Sequence, residues 1–313
     1  MSGILEGLPA GMRISTAGVD RDLERRQHGY GSGRRMQIER DRVRWTAGIR
    51  FGRTLGSPVG FEIANRDWQN WTEKMAQEDV RGARRPKRIT LARPGHADLA
   101  GAIKYDTDDI RNVLERASAR STAPRVLAGA VARQLLATVG VRIWSFVEQL
   151  GPVRAFGGVD DPVAAVPAGW ADRDLREPTP LRCPDPEAEL AMIVLVDECA
   201  ANGDSIGGTF VVVAEGLPVG LGSMAEWDTR LDGALAGAVM SIPAVKGVGI
   251  GLGFGVAGAH GRELHDEVDP TSGDWSRRTN RAGGIEGGMS NGEPVVVRAA
   301  VKPVATLRKP LQA

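Results

Sequence analysis

A chain of 313 residues, 42% apolar and 25% charged, has the composition of an ordinary globular protein and can bury one large core or two smaller ones. A formal net charge of +1 argues against a generic polyanion binder or an acidic tail protein. No apolar run approaches the roughly 18 residues of a membrane span, and Met1–Gly11 lacks the charged and apolar regions of a secretory signal. Two isolated cysteines, Cys183 and Cys199, and four scattered histidines, His28, His96, His260 and His265, read as reduced thiols in a cytoplasmic protein without a metal site.

In chain order, the word Glu6-Gly7-Leu8-Pro9-Ala10-Gly11 precedes a helical stretch over 20–27. It returns as Glu215-Gly216-Leu217-Pro218-Val219-Gly220 ahead of a helical stretch over 228–240. Gly56-Ser57-Pro58-Val59 and Gly292-Glu293-Pro294-Val295 each open a strand-like run. The matching order suggests two related halves about a pseudo-twofold axis. The spacing of Val126, Leu127, Ala130, Val131, Leu135 and Val139 predicts a helix over 122–139, with Ser121 as N-cap and Gly140 as stop. A second helix is expected over 186–202, ended by Gly203. Strands are expected at 60–64, where residues alternate, at 209–213 and at the β-branched run 294–301. The Gly-, Pro-, Ala- and Asp-rich stretch 151–180 reads as an irregular surface excursion. Strands, then helix, then strands again predict an α+β protein rather than alternating βαβ units.

Arginine is concentrated between Arg21 and Arg53, where there are ten, and again from Arg81 through Arg84, Arg85 and Arg88 to Arg93. Its planar fork suits carboxylates and phosphates, although solvated surface explains most of these residues. Asp22, Glu24, Glu39 and Asp41 interrupt the first stretch, and few aromatics accompany it, which argues against nucleic-acid binding.

Three stretches are polar or glycine-rich where a core would not be. In Arg93-Pro94-Gly95-His96-Ala97-Asp98, Pro-Gly forces a turn and holds a proton-transfer residue beside a carboxylate. Glu115-Arg116-Ala117-Ser118-Ala119-Arg120-Ser121 combines arginines and hydroxyls at a helix N-terminus, a natural anion site; an ordinary capped helix is the plainer reading. From Arg278 to Gly292, five glycines beside arginines allow backbone donors to approach a flat or phosphorylated ligand. The alternation Gly249, Gly251, Gly253, Gly255 lacks the spacing and βαβ context of a dinucleotide fingerprint.

Taken together, Asp22-Leu23-Glu24-Arg25-Arg26, Gly29-Tyr30-Gly31, Arg34-Arg35-Met36, 93–98, 115–120, Asp204-Ser205-Ile206-Gly207-Gly208, 240–247 and 280–292 resemble the chorismate synthase family over nearly all of 1–310. The resemblance implies a single α+β domain over 1–313, with helices sandwiched between two antiparallel sheets, assembled as a homotetramer. It implies a lyase that eliminates phosphate 1,4 from 5-enolpyruvylshikimate 3-phosphate, yielding chorismate at the end of the shikimate pathway. The family needs reduced FMN without net redox change, and NADPH serves some members as reductant. His96 is similar to the family's flavin-protonating histidine. Arg116, Ala117, Ser118, Pro243, Ala244, Gly287, Lys302, Pro303, Val304, Ala305 and Thr306 match its flavin-contacting stretches, and Arg26 its substrate- or NADP-binding arginine. Ser32 stands where many members carry a second such arginine. Pro124 replaces a usual alanine in the first turn of the helix, where proline is tolerated. The family's Gly-Glu-Ser-His-Gly word would lie upstream of Met1 and its Arg-Ser-Asp-type word beyond Ala313. The expectation is therefore a chain truncated at both ends, without a second catalytic histidine and a flavin-linked aspartate. The alternative reading is an impaired member that only binds FMN or a phosphoester.

Overall fold

The computed structural model describes residues 1–32, 39–78, 87–158, 161–172, 178–271, 273, 275–309 and 311. The word Arg34-Arg35-Met36 and the arginines at 81, 84 and 85 lie outside the described residues. The chain forms two compact units, Met1–Leu135 with Ala305–Ala313, and Leu136–Val304. Both mix helices with antiparallel sheets.

The first unit is built on β1 (Ser2–Leu5), α1 (Thr16–Gln27), β2 (Val43–Trp45), the hairpin β3 (Ile49–Arg50) and β4 (Arg53–Thr54), and β5 (Val59–Ile63). Its sheet has the order β1-β5-β2, all antiparallel. β5 is central, and the alternation read in the sequence holds only over its second half: Phe61 and Ile63 are buried and Glu62 and Ala64 less so, whereas Val59 and Gly60 are both buried. Ser15 caps α1 by accepting from the Gly18 amide, and Val19 and Leu23 bury one face of that helix. After α2 (Asp98–Lys104) and α3 (Arg111–Arg116) comes α4 (Thr122–Ala137). Its Leu127, Ala130 and Val131 pack against Val19, Leu23, Phe61 and Ile63. α4 departs from expectation at both ends. A short 3-10 turn, Ala119–Ser121, precedes it, and the cap is Ser118, whose hydroxyl accepts from the Arg120 amide. At the other end Val139 is exposed, and Gly140 turns the chain at φ +85°.

The second unit contains β6 (Arg142–Leu150), β7 (Val153–Arg154), α5 (Pro186–Asn202), β8 (Gly208–Glu215), α6 (Leu231–Met240), β9 (Val245–Ile250), the hairpin β10 (Ile285–Glu286) and β11 (Met289–Ser290), and β12 (Val295–Val301). Its five-stranded antiparallel sheet has the order β7-β6-β8-β12-β9. β12 is internal, so Val295, Val296 and Val297 are all buried, and the strand reads as a continuous apolar run. α6 packs Leu231, Leu235 and Val239 against Val295 and Val297. Met192 of α5 packs with Val147 and Leu150. The 151–180 stretch is not the surface excursion expected. Trp170 is 3% exposed and joins Phe146, Val211, Val213 and Val296, because the sheet face opposite the helices needs an apolar cover.

The repeated words mark a repeated topology. β1–α1–β2–hairpin–β5 in the first unit and β8–α6–β9–hairpin–β12 in the second run in the same order, with the last strand paired between the other two. The Glu-Gly-Leu-Pro words are fixed in the same way in each copy. Thr54 Oγ1 donates to the Pro9 carbonyl at 2.5 Å and accepts from the Met12 amide at 3.0 Å. Ser290 Oγ donates to the Pro218 carbonyl at 2.6 Å and accepts from the Leu221 amide at 2.9 Å. Thr54 and Ser290 are each 2% exposed, so each buried hydroxyl is satisfied by the turn it holds.

Candidate functional site

In the first unit, His96 sits in a turn closed by its own amide donating to the Arg93 carbonyl. Asp98, at the start of α2 and 1% exposed, is the hub of that turn. It accepts from the Arg93 amide at 2.9 Å, from Arg93 Nε at 2.9 Å and from Arg93 Nη2 at 3.2 Å, and it touches His96 Nδ1. Burial works to raise the Asp98 pKa, but the bonds from Arg93 and His96 outweigh it and hold the carboxyl at about 2. Arg93 Nη1 also donates to Thr306 Oγ1 at 2.8 Å. Thr306 and His96, both marked in the sequence, thus meet through one arginine.

Arg26 lies in a buried ionic quartet. Arg120 Nη1 approaches Glu39 and lies 2.6 Å from Asp41, and Arg26 Nη1 lies 3.3 Å from Asp41 and 4.0 Å from Glu39. Arg26 also donates from Nε to Thr122 Oγ1 at 2.9 Å and from Nη2 to the Ala119 carbonyl at 3.4 Å. Burial lowers its pKa; Asp41 raises it, Arg120 lowers it and Glu39 raises it. Among the described residues these bonds use three of the five N–H groups of the fork. The expected anion site of two arginines at a helix start is therefore corrected. Arg120 is 9% exposed and spends its guanidinium on Glu39, Asp41 and the Ala64 carbonyl, while Arg116, at the end of α3, is exposed. Ala117 and Ser118 follow directly, so Arg26 and the Arg116–Ser118 stretch are neighbours through Ala119. Ser32 lines a cleft of about 460 Å³ with Glu39, Asp41, Arg40, Arg42 and His28.

In the second unit, Ala244 occupies the left-handed region at φ +72°, a strained conformation for a residue other than glycine. Its carbonyl accepts from the Lys302 amide at 2.9 Å, which joins Pro243-Ala244 to the start of the Lys302–Thr306 run. Ser205 donates to the Val304 carbonyl at 2.8 Å. Pro303 and Val304 are exposed, and Ala305 and Thr306 continue into the first unit. The glycine-rich loop divides by cause. A Cβ at Gly283 would lie 2.3 Å from the Gly251 amide nitrogen, and one at Gly284 2.5 Å from the Pro294 oxygen. Those two glycines serve backbone packing and not a ligand, contrary to the expectation for the loop as a whole. Gly287, at the tip of the β10–β11 hairpin with φ +58°, meets nothing within 4 Å at its Cβ position and can accept a flat group against its backbone.

Sequence reasoning missed the partners that hold these residues. Glu39 and Asp41 pair with an arginine about 80 positions later. Asp266 fixes the glycine-rich loop by accepting from the Arg281 and Ala282 amides, each at 2.8 Å. No spacing in the sequence signals such contacts.

The family model for chorismate synthase matches residues 1–313. A chorismate synthase from Symbiobacterium thermophilum is 54% identical over 317 residues, covering 99% of this chain and 79% of that protein. One from Desulforudis audaxviator is also 54% identical, covering 98% of this chain and 77% of that protein. A solved structure described as a crystal structure of chorismate synthase superimposes with a TM-score of 0.79 at 38% identity, covering 97% of this chain and 81% of that one. With the match running along the whole chain and through every stretch described above, the chain belongs to the chorismate synthase family.

Proposed function

We propose that this chain catalyses the 1,4-elimination of phosphate from 5-enolpyruvylshikimate 3-phosphate with His96 as its proton-transfer residue, acting in the cytoplasm as a homotetramer. The observation that carries the reading is the His96 turn, in which a titratable imidazole is clamped between a buried carboxylate and an arginine. In this reading residues 1–313 form a single chorismate synthase-like α+β domain with an internal repeat.

The residues present suit a flavin. Exposed cationic Arg116 and partly buried Lys302 suit a phosphate. The open tip at Gly287 and the exposed Pro243, Pro303 and Val304 suit a planar apolar ring. Ala117, Ser118, Ala244, Ala305 and Thr306 complete the stretches that would hold it. Reduced FMN, when bound, supplies an electron that is returned, so the reaction has no net redox change; NADPH is the reductant in this reading.

The substrate carries two carboxylates and a phosphate. Arg26 offers it a guanidinium beside the Ala119 carbonyl, and Ser32 offers a hydroxyl where an arginine would add charge. His96 holds a proton on its imidazole and gives it up within a turn that cannot reorient without breaking three Asp98 bonds. The test is His96→Ala. Turnover is expected to fall by at least about a hundredfold, the scale of a lost acid–base group, with FMN affinity little changed. Unaltered turnover would remove His96 from the mechanism.

A further inference from the structure

Asp98 is the least exposed of the described buried polar residues, and it contacts His96 through one specific ring nitrogen. Its Oδ2 is taken by the Arg93 amide and Nε, so Oδ1 is the oxygen left for the imidazole. An ionised carboxylate has lone pairs but no hydrogen, so the nitrogen facing it must carry one; two lone pairs at hydrogen-bond distance would repel. Nδ1 is that nitrogen. Arg93 Nη2, 3.1 Å from Nδ1 and 3.4 Å from Nε2, lies beside the ring. Of its two N–H groups, one has the Asp98 carboxylate as acceptor and the other has the bare Nε2 within 3.4 Å, so neither requires the Nδ1 lone pair.

We propose that Asp98 is a positioning residue that fixes His96 in the Nδ1–H tautomer and makes Nε2 the atom that gives and takes the proton. The transfer of the proton rests on the function argued above, but the tautomer is a property of the turn itself. Arg93 supports it twice, by occupying Oδ2 so that Asp98 cannot swing away, and by anchoring the turn to Thr306. A carboxylate aligned on the far nitrogen of a working imidazole holds the ring's orientation and stabilises its charged form.

The test reads the tautomer directly. The full chain, labelled with ¹⁵N-histidine, is examined by long-range ¹H–¹⁵N correlation above the pH at which the ring is charged. The His96 signals are identified by their loss in His96→Gln. The expected pattern is a protonated Nδ1 and a bare Nε2. In Asp98→Asn, the amide oxygen takes the Arg93 bonds and its NH₂ faces Nδ1, so the tautomer should switch to Nε2–H. kcat should then fall about a hundredfold, the range of a misdirected acid–base group, while KM for 5-enolpyruvylshikimate 3-phosphate stays within about twofold. An Nε2–H tautomer in the unsubstituted chain overturns the proposal, with no variant needed. So does an Asp98→Asn protein that keeps both tautomer and kcat. An Nδ1–H tautomer in a chain that produces no chorismate supports the placement of the proton and instead overturns the proposed function.

Discussion

Asp98 should leave a signature in acid stability as well as in tautomer. Its folded pKa of about 2 lies below the ordinary value of 3.8. The unfolded chain therefore binds this proton first as pH falls, and the stabilisation is present above about pH 4 and lost on the way to about pH 2. The shift corresponds to roughly 2 kcal/mol. Denaturant titrations of the parent and Asp98→Asn at several pH values should show the parent more stable near neutrality and the two converging in acid. A gap that does not narrow would mean that Asp98 is not charged in the fold. Cys183 behaves in the opposite sense. Burial pushes its thiol up to about 11; the Asp185 amide pulls it down, and the charges of Asp185 and Glu189 add to the rise. With so little thiolate at neutral pH, a thiol reagent should label the half-buried Cys199 first and reach Cys183 only on unfolding. Equal labelling rates for the two would contradict the burial of the α5 region.

Between elements, stability should concentrate where polar groups are sealed from water. Arg120→Ala would remove the closer of the two arginines from Glu39 and Asp41, 4% and 3% exposed, leaving the longer Arg26 contacts, and should cost about 3 kcal/mol. Arg142, 55% exposed and paired with Glu215 on β8, should cost less than about 1 kcal/mol when replaced by alanine. Thr54→Val and Ser290→Ala should each cost about 1–3 kcal/mol, because each leaves a backbone amide, at Met12 or Leu221, without its side-chain acceptor. Similar losses at the two sites, measured by denaturant unfolding, would confirm that the hydroxyls do the same work in each copy of the repeat. The same elements divide into those readable from the sequence and those not. The second long helix was legible to the residue, because Gly203 at φ +71° ends it through local chemistry. The start of α4 was not: Ser121 was expected as its cap, but Ser118 caps the 3-10 turn ahead of it, where Arg120 turns inward to acids 79 and 81 positions away. The burial of Trp170 within the 151–180 stretch was not legible for a related reason, since nothing in a Gly- and Pro-rich stretch says that a distant sheet face lacks a cover.

At the scale of the whole chain, long polar words were enough to identify a phosphate-eliminating lyase family. The repeat was legible in outline from two short words, but the shared strand order β1-β5-β2 and β8-β12-β9 needed the fold. The glycine-rich loop was half legible: its glycines were evident, but only distances separate Gly283 and Gly284, pressed against backbone, from the open Gly287. Ser32 is the departure with the clearest functional consequence. Restoring a cation there with Ser32→Arg should tighten substrate binding by roughly 1–3 kcal/mol if it forms a charge-assisted bond, read as a lower KM at unchanged kcat. An unchanged KM would mean that the cleft with Glu39 and Asp41 does not receive the substrate.

The central claim is that this chain releases phosphate and chorismate together under the control of His96. The most direct measurement is an anaerobic assay of the full chain with chemically reduced FMN and 5-enolpyruvylshikimate 3-phosphate, following both products in the parent and in His96→Ala. The account predicts equal amounts of chorismate and phosphate from the parent, none with oxidised FMN, and a rate at least about a hundredfold lower in the variant. A parent chain that binds reduced FMN and substrate yet releases neither product would contradict it.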